Sequence, residues 1–247
     1  MTHAGRIRAV ILTTQRTGST SLVVSLGTHP DIECAGEILI GAPDTPVPQV
    51  RGHFKNVVRI GNIIRFGAWM PPRRMERFYA GGKARVRAFK VMYNQLKYPF
   101  ALRYLQNDRA IRVLHLSRHN LLKVHVSRLL MSKRERVQAT GPVAAVRTHV
   151  DPGQAIASMR KARERHQHFD SLFSTHPRLQ LAYESLFEGQ GLSEAANAAI
   201  CDFLEVPRHP MRSKLTKLNP ESLQDMVTNY DELANAVART EFAEFLQ

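Results

Sequence analysis

Residues 7–22 read IRAVILTTQRTGSTSL, and this stretch decides the fold class. Seven residues from Ile7 to Thr13 are apolar or β-branched apart from Arg8, which is the signature of a buried strand. A short polar loop follows. From Leu22 onward the apolar residues recur with helical spacing through Leu26. A strand, a tight loop and a helix N-terminus in that order make a phosphate-binding junction, because the first N–H groups of a helix lack internal partners and its dipole adds partial positive charge. Gly18 permits close backbone approach, the hydroxyls of Thr17, Ser19, Thr20 and Ser21 add donors, and Arg16 brings a full charge. A Ser/Thr-rich helix cap with no ligand is the plainer reading of the same residues.

Outward from this loop, three further runs read as buried strands: 87–92, 111–116 and 179–183. Helical patterns follow each of them, at 98–105, 121–131 and 194–204. Strand then helix, repeated, predicts an α/β fold with a mostly parallel sheet flanked by helices and with ligands at the carboxyl ends of its strands. At 247 residues the chain is expected to be a single domain, and residues 219–247 are expected to add acidic amphipathic helices packed on it. Leu223, Met226, Val227, Tyr230, Leu233 and Val237 are their candidate core positions. Residues 159–173 read as a basic helix, and 41–49, with three prolines, as an extended loop.

Composition narrows the class. Hydrophobic residues at 43% and charged residues at 23% are those of a globular protein. No apolar run reaches the length of a membrane span, and the first fourteen residues lack the pattern of a signal peptide, so the expected location is the cytoplasm. Cys34 and Cys201 are too few for a zinc quartet and are expected to be small buried hydrophobes. His115 with His119, and His166 with His168, lack a completing Cys or acid, so no metal is expected.

Thirty-five Lys and Arg against 21 acids give +14, which favours anionic partners. The surplus is regional: residues 51–165 hold 26 basic and 5 acidic side chains, net +21, whereas 219–247 hold 6 acids and one Arg, net −5. A nucleotide kinase would need G-x-x-x-x-G-K-[ST]; the loop after the first strand lacks it, and Gly81-Gly82-Lys83 runs into Ala84. The basic block, with Phe66, Trp69, Phe78, Tyr79 and Phe89 interleaved, supports nucleic-acid binding as the alternative class, although no reading motif accompanies it.

Two motifs together carry a family resemblance. Arg16-Thr17-Gly18-Ser19-Thr20 resembles the 5′-phosphosulfate loop of sulfotransferases that use 3′-phosphoadenosine 5′-phosphosulfate (PAPS). Val113 to Leu121 (VLHLSRHNL), followed by Val126-Ser127, resembles the same family's 3′-phosphate motif, a strand ending in Arg that leads into a Ser-bearing helix. Arg118 and Ser127 are nine residues apart, one more than the usual family spacing, so either Arg118 or His119 stands in the position of the family's arginine. Asn120 is placed to cap the helix between them.

Three more segments are similar to the bacterial carbohydrate branch, which includes the trehalose and nodulation-factor sulfotransferases. Cys34-Ala35-Gly36-Glu37 resembles its acceptor-site motif, Phe89 to Leu96 (FKVMYNQL) its second-strand segment, and Thr216-Lys217-Leu218-Asn219-Pro220 its C-terminal cofactor loop. The resemblance implies PAPS as co-substrate, 3′,5′-bisphosphoadenosine (PAP) as product, and a hydroxylated acceptor, carbohydrate or lipid-linked. It implies no metal and no nucleic-acid partner. Cofactor binding then falls to Arg16, Thr17, Gly18, Ser19, Thr20, Ser21, Arg118, Ser127, Lys217 and Asn219. Arg16 also faces the leaving phosphate, and Glu37 becomes the general base, with His119 or His125 as alternatives.

Overall fold

The apolar runs become strands of a parallel sheet, three of them inner and the last at an edge. In the computed structural model, which describes residues 5–39, 71–97, 99–137, 147–212 and 222–246, β1 (Ile7–Thr13), β3 (Val86–Met92), β4 (Arg112–Ser117) and β5 (Arg178–Ala182) lie within one residue of the sequence expectation. A further strand, β2 (Ile32–Ala35), was not expected. It is four residues long and lies at the edge, where no long apolar run is needed. The order is β2-β3-β1-β4-β5, and every neighbouring pair is parallel. Ile11 of β1 sits between Lys90 of β3 and Leu114 of β4.

The chain divides into two compact units. The first comprises Met1–Thr14, Gly18–Ser117 and Asp170–Leu215, and contains the sheet. Alternation of side chains sends Ala9, Ile11, Ala88, Leu114 and Leu116 to one face. There they pack against Leu22 and Leu26 of α1 (Ser19–Leu26) and against Ile200 and Cys201 of the helix Glu194–Phe203. Each fully buried leucine contributes about 1.5–3 kcal/mol by transfer from water. Phe89, on the opposite face, meets Phe78 and Tyr79 of α2 (Pro71–Ala80). Tyr79 also donates a buried hydrogen bond to the Ala9 carbonyl at 3.0 Å. The helix expected at 98–105 spans Pro99–Asn107 (α3), and a 3₁₀ turn, Tyr93–Lys97, precedes it.

The second unit comprises Gln15–Thr17, Arg118–Phe169 and Thr216–Gln247. Its core joins Leu122, Val126 and Leu130 of α4 (Leu121–Val137) to Ala155 and Met159 of α5 (Pro152–Leu172). Leu223, Met226, Val227, Leu233 and Val237 complete it, and Tyr230 packs at its margin. The acidic C-terminal stretch is shorter in its helices than expected, with turns at Leu223–Met226 and Tyr230–Val237 and a 3₁₀ segment at Ala243–Leu246. Ser222 and Asp225 form a capping box at its start. The expected loop at 41–49 lies outside the described residues. Among the described residues no helix is long and apolar enough to cross a membrane.

Candidate functional site

The loop that leaves β1 is held in two left-handed backbone positions. Arg16 has φ 67° and Gly18 has φ 76°. Glycine is at home there, whereas a non-glycine residue in this region costs of order 1–3 kcal/mol and marks a place where the surrounding structure dictates the conformation. Gly18 is required twice over, since a Cβ would lie 2.6 Å from Cδ2 of Tyr183 and 3.1 Å from Cε2 of Phe187. It is the N-cap of α1 and provides no side chain to accept from the helix's first N–H groups. Ser19 is buried, Ser21 half-buried and Thr20 exposed at this helix start, and Thr17 before it is buried.

In the second unit Arg16 Nε donates to Ser127 Oγ at 2.8 Å, although the two residues are 111 positions apart. Arg118 Nη1 donates to the Arg16 carbonyl at 3.4 Å. Ser127 is almost fully buried on the first turns of α4. Asn120 caps that helix as expected, with Oδ1 accepting from Lys123 N at 2.9 Å, while its Nδ2 donates to the Phe245 carbonyl. A cap of this kind contributes about 1 kcal/mol and fixes the entry of α4. Arg118 is therefore the one of the pair Arg118 and His119 that lies with Arg16. His119 is exposed, with its ring 3.6 Å from a carboxylate oxygen of Glu244 and edge-on to Phe245. His125 is held below the usual imidazole range by burial, and by the charge of Arg128 next. Lys217 and Asn219 lie outside the described residues.

Glu37 follows β2 in the first unit, at the carboxyl edge of the sheet. Its Oε1 pairs with Lys90 Nζ at 3.0 Å, and its Oε2 accepts from Gln95 Nε2 at 2.6 Å. Lys90 and Gln95 are both nearly buried. A carboxylate has about four lone-pair directions, so two remain for other partners. Gln95 is itself oriented, because its Oε1 accepts from Met92 N at 3.0 Å and leaves the amide nitrogen to face Glu37. Neither Lys90 nor Gln95 was singled out from the sequence. For Lys90 there was a signal, a charged residue inside the buried run VRAFKVM. Cys34, on β2, is half-buried instead of buried; loss of solvation pushes its thiol up to about 12, against the pull of the Lys90 charge. Cys201 is buried as expected.

Among the described residues no group of three or more His, Cys, Asp or Glu is placed to hold a metal ion. Within the second unit Arg16, Arg118 and Ser127 bring together guanidinium and hydroxyl donors, groups suited to an anion.

No family model and no curated protein sequence matches the chain. Among solved structures, it is similar to a sulfotransferase from Alicyclobacillus acidocaldarius, with a TM-score of 0.44 and 17% identity over 98% of this chain and 96% of that one. It is also similar to the sulfotransferase domain of the olefin synthase from Synechococcus PCC 7002, with a TM-score of 0.42 and 18% identity over 81% of this chain and 74% of that one.

Proposed function

We propose that the chain is a PAPS-dependent sulfotransferase acting on a hydroxyl of a carbohydrate or lipid-linked acceptor. The observation that carries this reading is the 2.8 Å hydrogen bond between Arg16 and Ser127, with Arg118 on the same arginine's carbonyl. Arg16 and Ser127 come from two separate motifs, each read as phosphate-binding, and such a meeting is what one bisphosphorylated nucleotide requires.

PAPS supplies the sulfuryl group and a phosphate leaving group. Arg118 and Ser127 would hold the 3′-phosphate, the guanidinium supplying charge and the hydroxyl a neutral donor. Thr17, Gly18, Ser19, Thr20 and Ser21 offer hydroxyls and backbone N–H groups to the 5′ side, and Lys217 and Asn219 are assigned to the same nucleotide. Arg16 offsets the charge that develops on the leaving oxygen, in the manner of an oxyanion site. Glu37 takes the proton of the acceptor hydroxyl, with Lys90 and Gln95 holding its carboxylate in place.

The test is an acceptor screen with sulfur-labelled PAPS in the presence of a chelator. Label transfer to a mono- or oligosaccharide or a glycolipid supports the reading; turnover that needs magnesium and transfers phosphate from ATP contradicts it.

A further inference from the structure

His115 lies in β4 with no exposure, in a strand whose other central residues are Val113, Leu114 and Leu116. Burying an imidazole there is costly unless its nitrogens are hydrogen-bonded. Both are. Nδ1 lies 3.2 Å from Asp170 Oδ1, and Nε2 lies 2.6 Å from the Tyr93 hydroxyl. Asp170 also accepts from Arg178 Nη1 at 2.8 Å and from Gln180 Nε2. Partial burial works to raise its carboxyl, but the Gln180 hydrogen bond, the Arg178 charge and His115 outweigh this and hold it below the usual range. An ionised carboxylate only accepts, so Nδ1 carries a proton, and in the neutral ring Nε2 then accepts from the Tyr93 hydroxyl. Hydrogen bonds thus link Tyr93 through His115 to Asp170.

Tyr93 is the first residue of the turn Tyr93–Lys97, and it is nearly buried. Two residues on, Gln95 presents its amide to Glu37. We propose that His115, braced by Asp170, is a positioning residue: through the Tyr93 hydroxyl it fixes this turn, and the turn holds Gln95 against the Glu37 carboxylate. The inference rests on the reading of Glu37 as the base. Among the described residues, the charged groups that face this segment are Lys90 on β3, paired with Glu37, and Arg74 of α2, whose Nη1 donates to the Ile38 carbonyl at 3.0 Å.

Tyr93→Phe removes only the hydroxyl, and His115→Leu breaks the same chain with the side chain that its strand neighbours already use. Both are compared with Gln95→Leu and with Tyr93→Phe/Gln95→Leu, thermal melts accompanying each. Two readouts are taken: kcat with KM for each substrate, and solvent exchange of the Gln95 side-chain amide by NMR, its resonances assigned by their loss in Gln95→Leu. The expected result is amide exchange up to about tenfold faster in Tyr93→Phe and His115→Leu, the span of one hydrogen bond. In the same variants kcat falls with KM unchanged, and the double variant is no slower than Gln95→Leu alone. Parental exchange at Gln95 in either folded variant, or losses of kcat that multiply in the double variant, overturns the proposal. A parent that transfers no sulfuryl group while its Gln95 exchange still responds to Tyr93→Phe overturns the sulfotransferase reading and leaves the positioning chain standing.

Discussion

Two connections leave the carboxyl edge of the sheet from adjacent strands, and they are held in opposite ways. The loop after β1 has left-handed backbone at Arg16 and Gly18, and the helix it opens has no side-chain cap. The turn after β3 is held by side chains, Tyr93 on His115 and Gln95 on both Met92 and Glu37. One connection is set by its backbone conformation; the other is set by buried hydrogen bonds between side chains that end on a carboxylate. Left-handed backbone and an uncapped helix start suit the proposed binding of an anion, whereas satisfied, buried hydrogen bonds suit a group that must stay in register with its target.

The largest expected effect lies with the fixed carboxylate. Glu37→Gln keeps the shape but loses the Lys90 ion pair and removes the proposed base, so turnover should fall by roughly 10²–10⁴-fold with PAP affinity unchanged. A calorimetric titration beside the rate measurement checks both. Near-parental turnover with weakened PAP binding would move Glu37 into the nucleotide site and break the contrast between the two connections.

Gly18→Ala attacks the other connection. The new Cβ meets the Tyr183 ring at a φ of 76°, and stability should drop by roughly 1–3 kcal/mol in urea unfolding. Trimming the ring in Gly18→Ala/Tyr183→Ala should relieve the clash and leave the backbone strain. Equal stability of parent and Gly18→Ala would show that the loop tolerates a different conformation.

Arg118→Ala is expected to weaken PAP binding by about 1.5–3 kcal/mol, the range for a charged hydrogen bond, and Ser127→Ala by less. The smallest effect concerns Cys34 beside Lys90. With its thiol pushed up to about 12, it stays protonated at pH 8 and should alkylate at least about tenfold more slowly than a free cysteine, catching up only as pH climbs toward that value. Rapid labelling at pH 8 would mean that the β2 edge is looser than the packing around Glu37 requires.

The two connections also differ in how far the sequence disclosed them. The β1 loop was legible because its chemistry is local: glycine, hydroxyls and an arginine stand together in QRTGSTS between a strand and a helix. The Asn120 cap was legible for the same reason, and Arg118 and Ser127, proposed as phosphate ligands, flank it in the same short segment. The turn after β3 was noticed only as part of the segment FKVMYNQL, and the roles of its side chains were not legible, because they depend on partners far along the chain. Glu37 was chosen by resemblance, but its partners Lys90 and Gln95 stand 53 and 58 positions away. His115 stood out only by its spacing from His119, a pair without a completing metal ligand, and nothing local pointed to Asp170, 55 residues on. Strand β2 escaped because IECA is short and exposes Glu33, leaving no periodicity to read.

The central claim is that Arg118 and Ser127 form a site for a 3′-phosphate, and a paired calorimetric titration with PAP and AMP tests it most directly. Both nucleotides carry the 5′-phosphate, so only the 3′-phosphate separates them. PAP should bind at least about tenfold more tightly than AMP, by the strength of one charge-assisted contact, and Arg118→Ala should erase most of that difference. Equal affinity for PAP and AMP, or a preference for PAP that survives Arg118→Ala intact, would contradict the account.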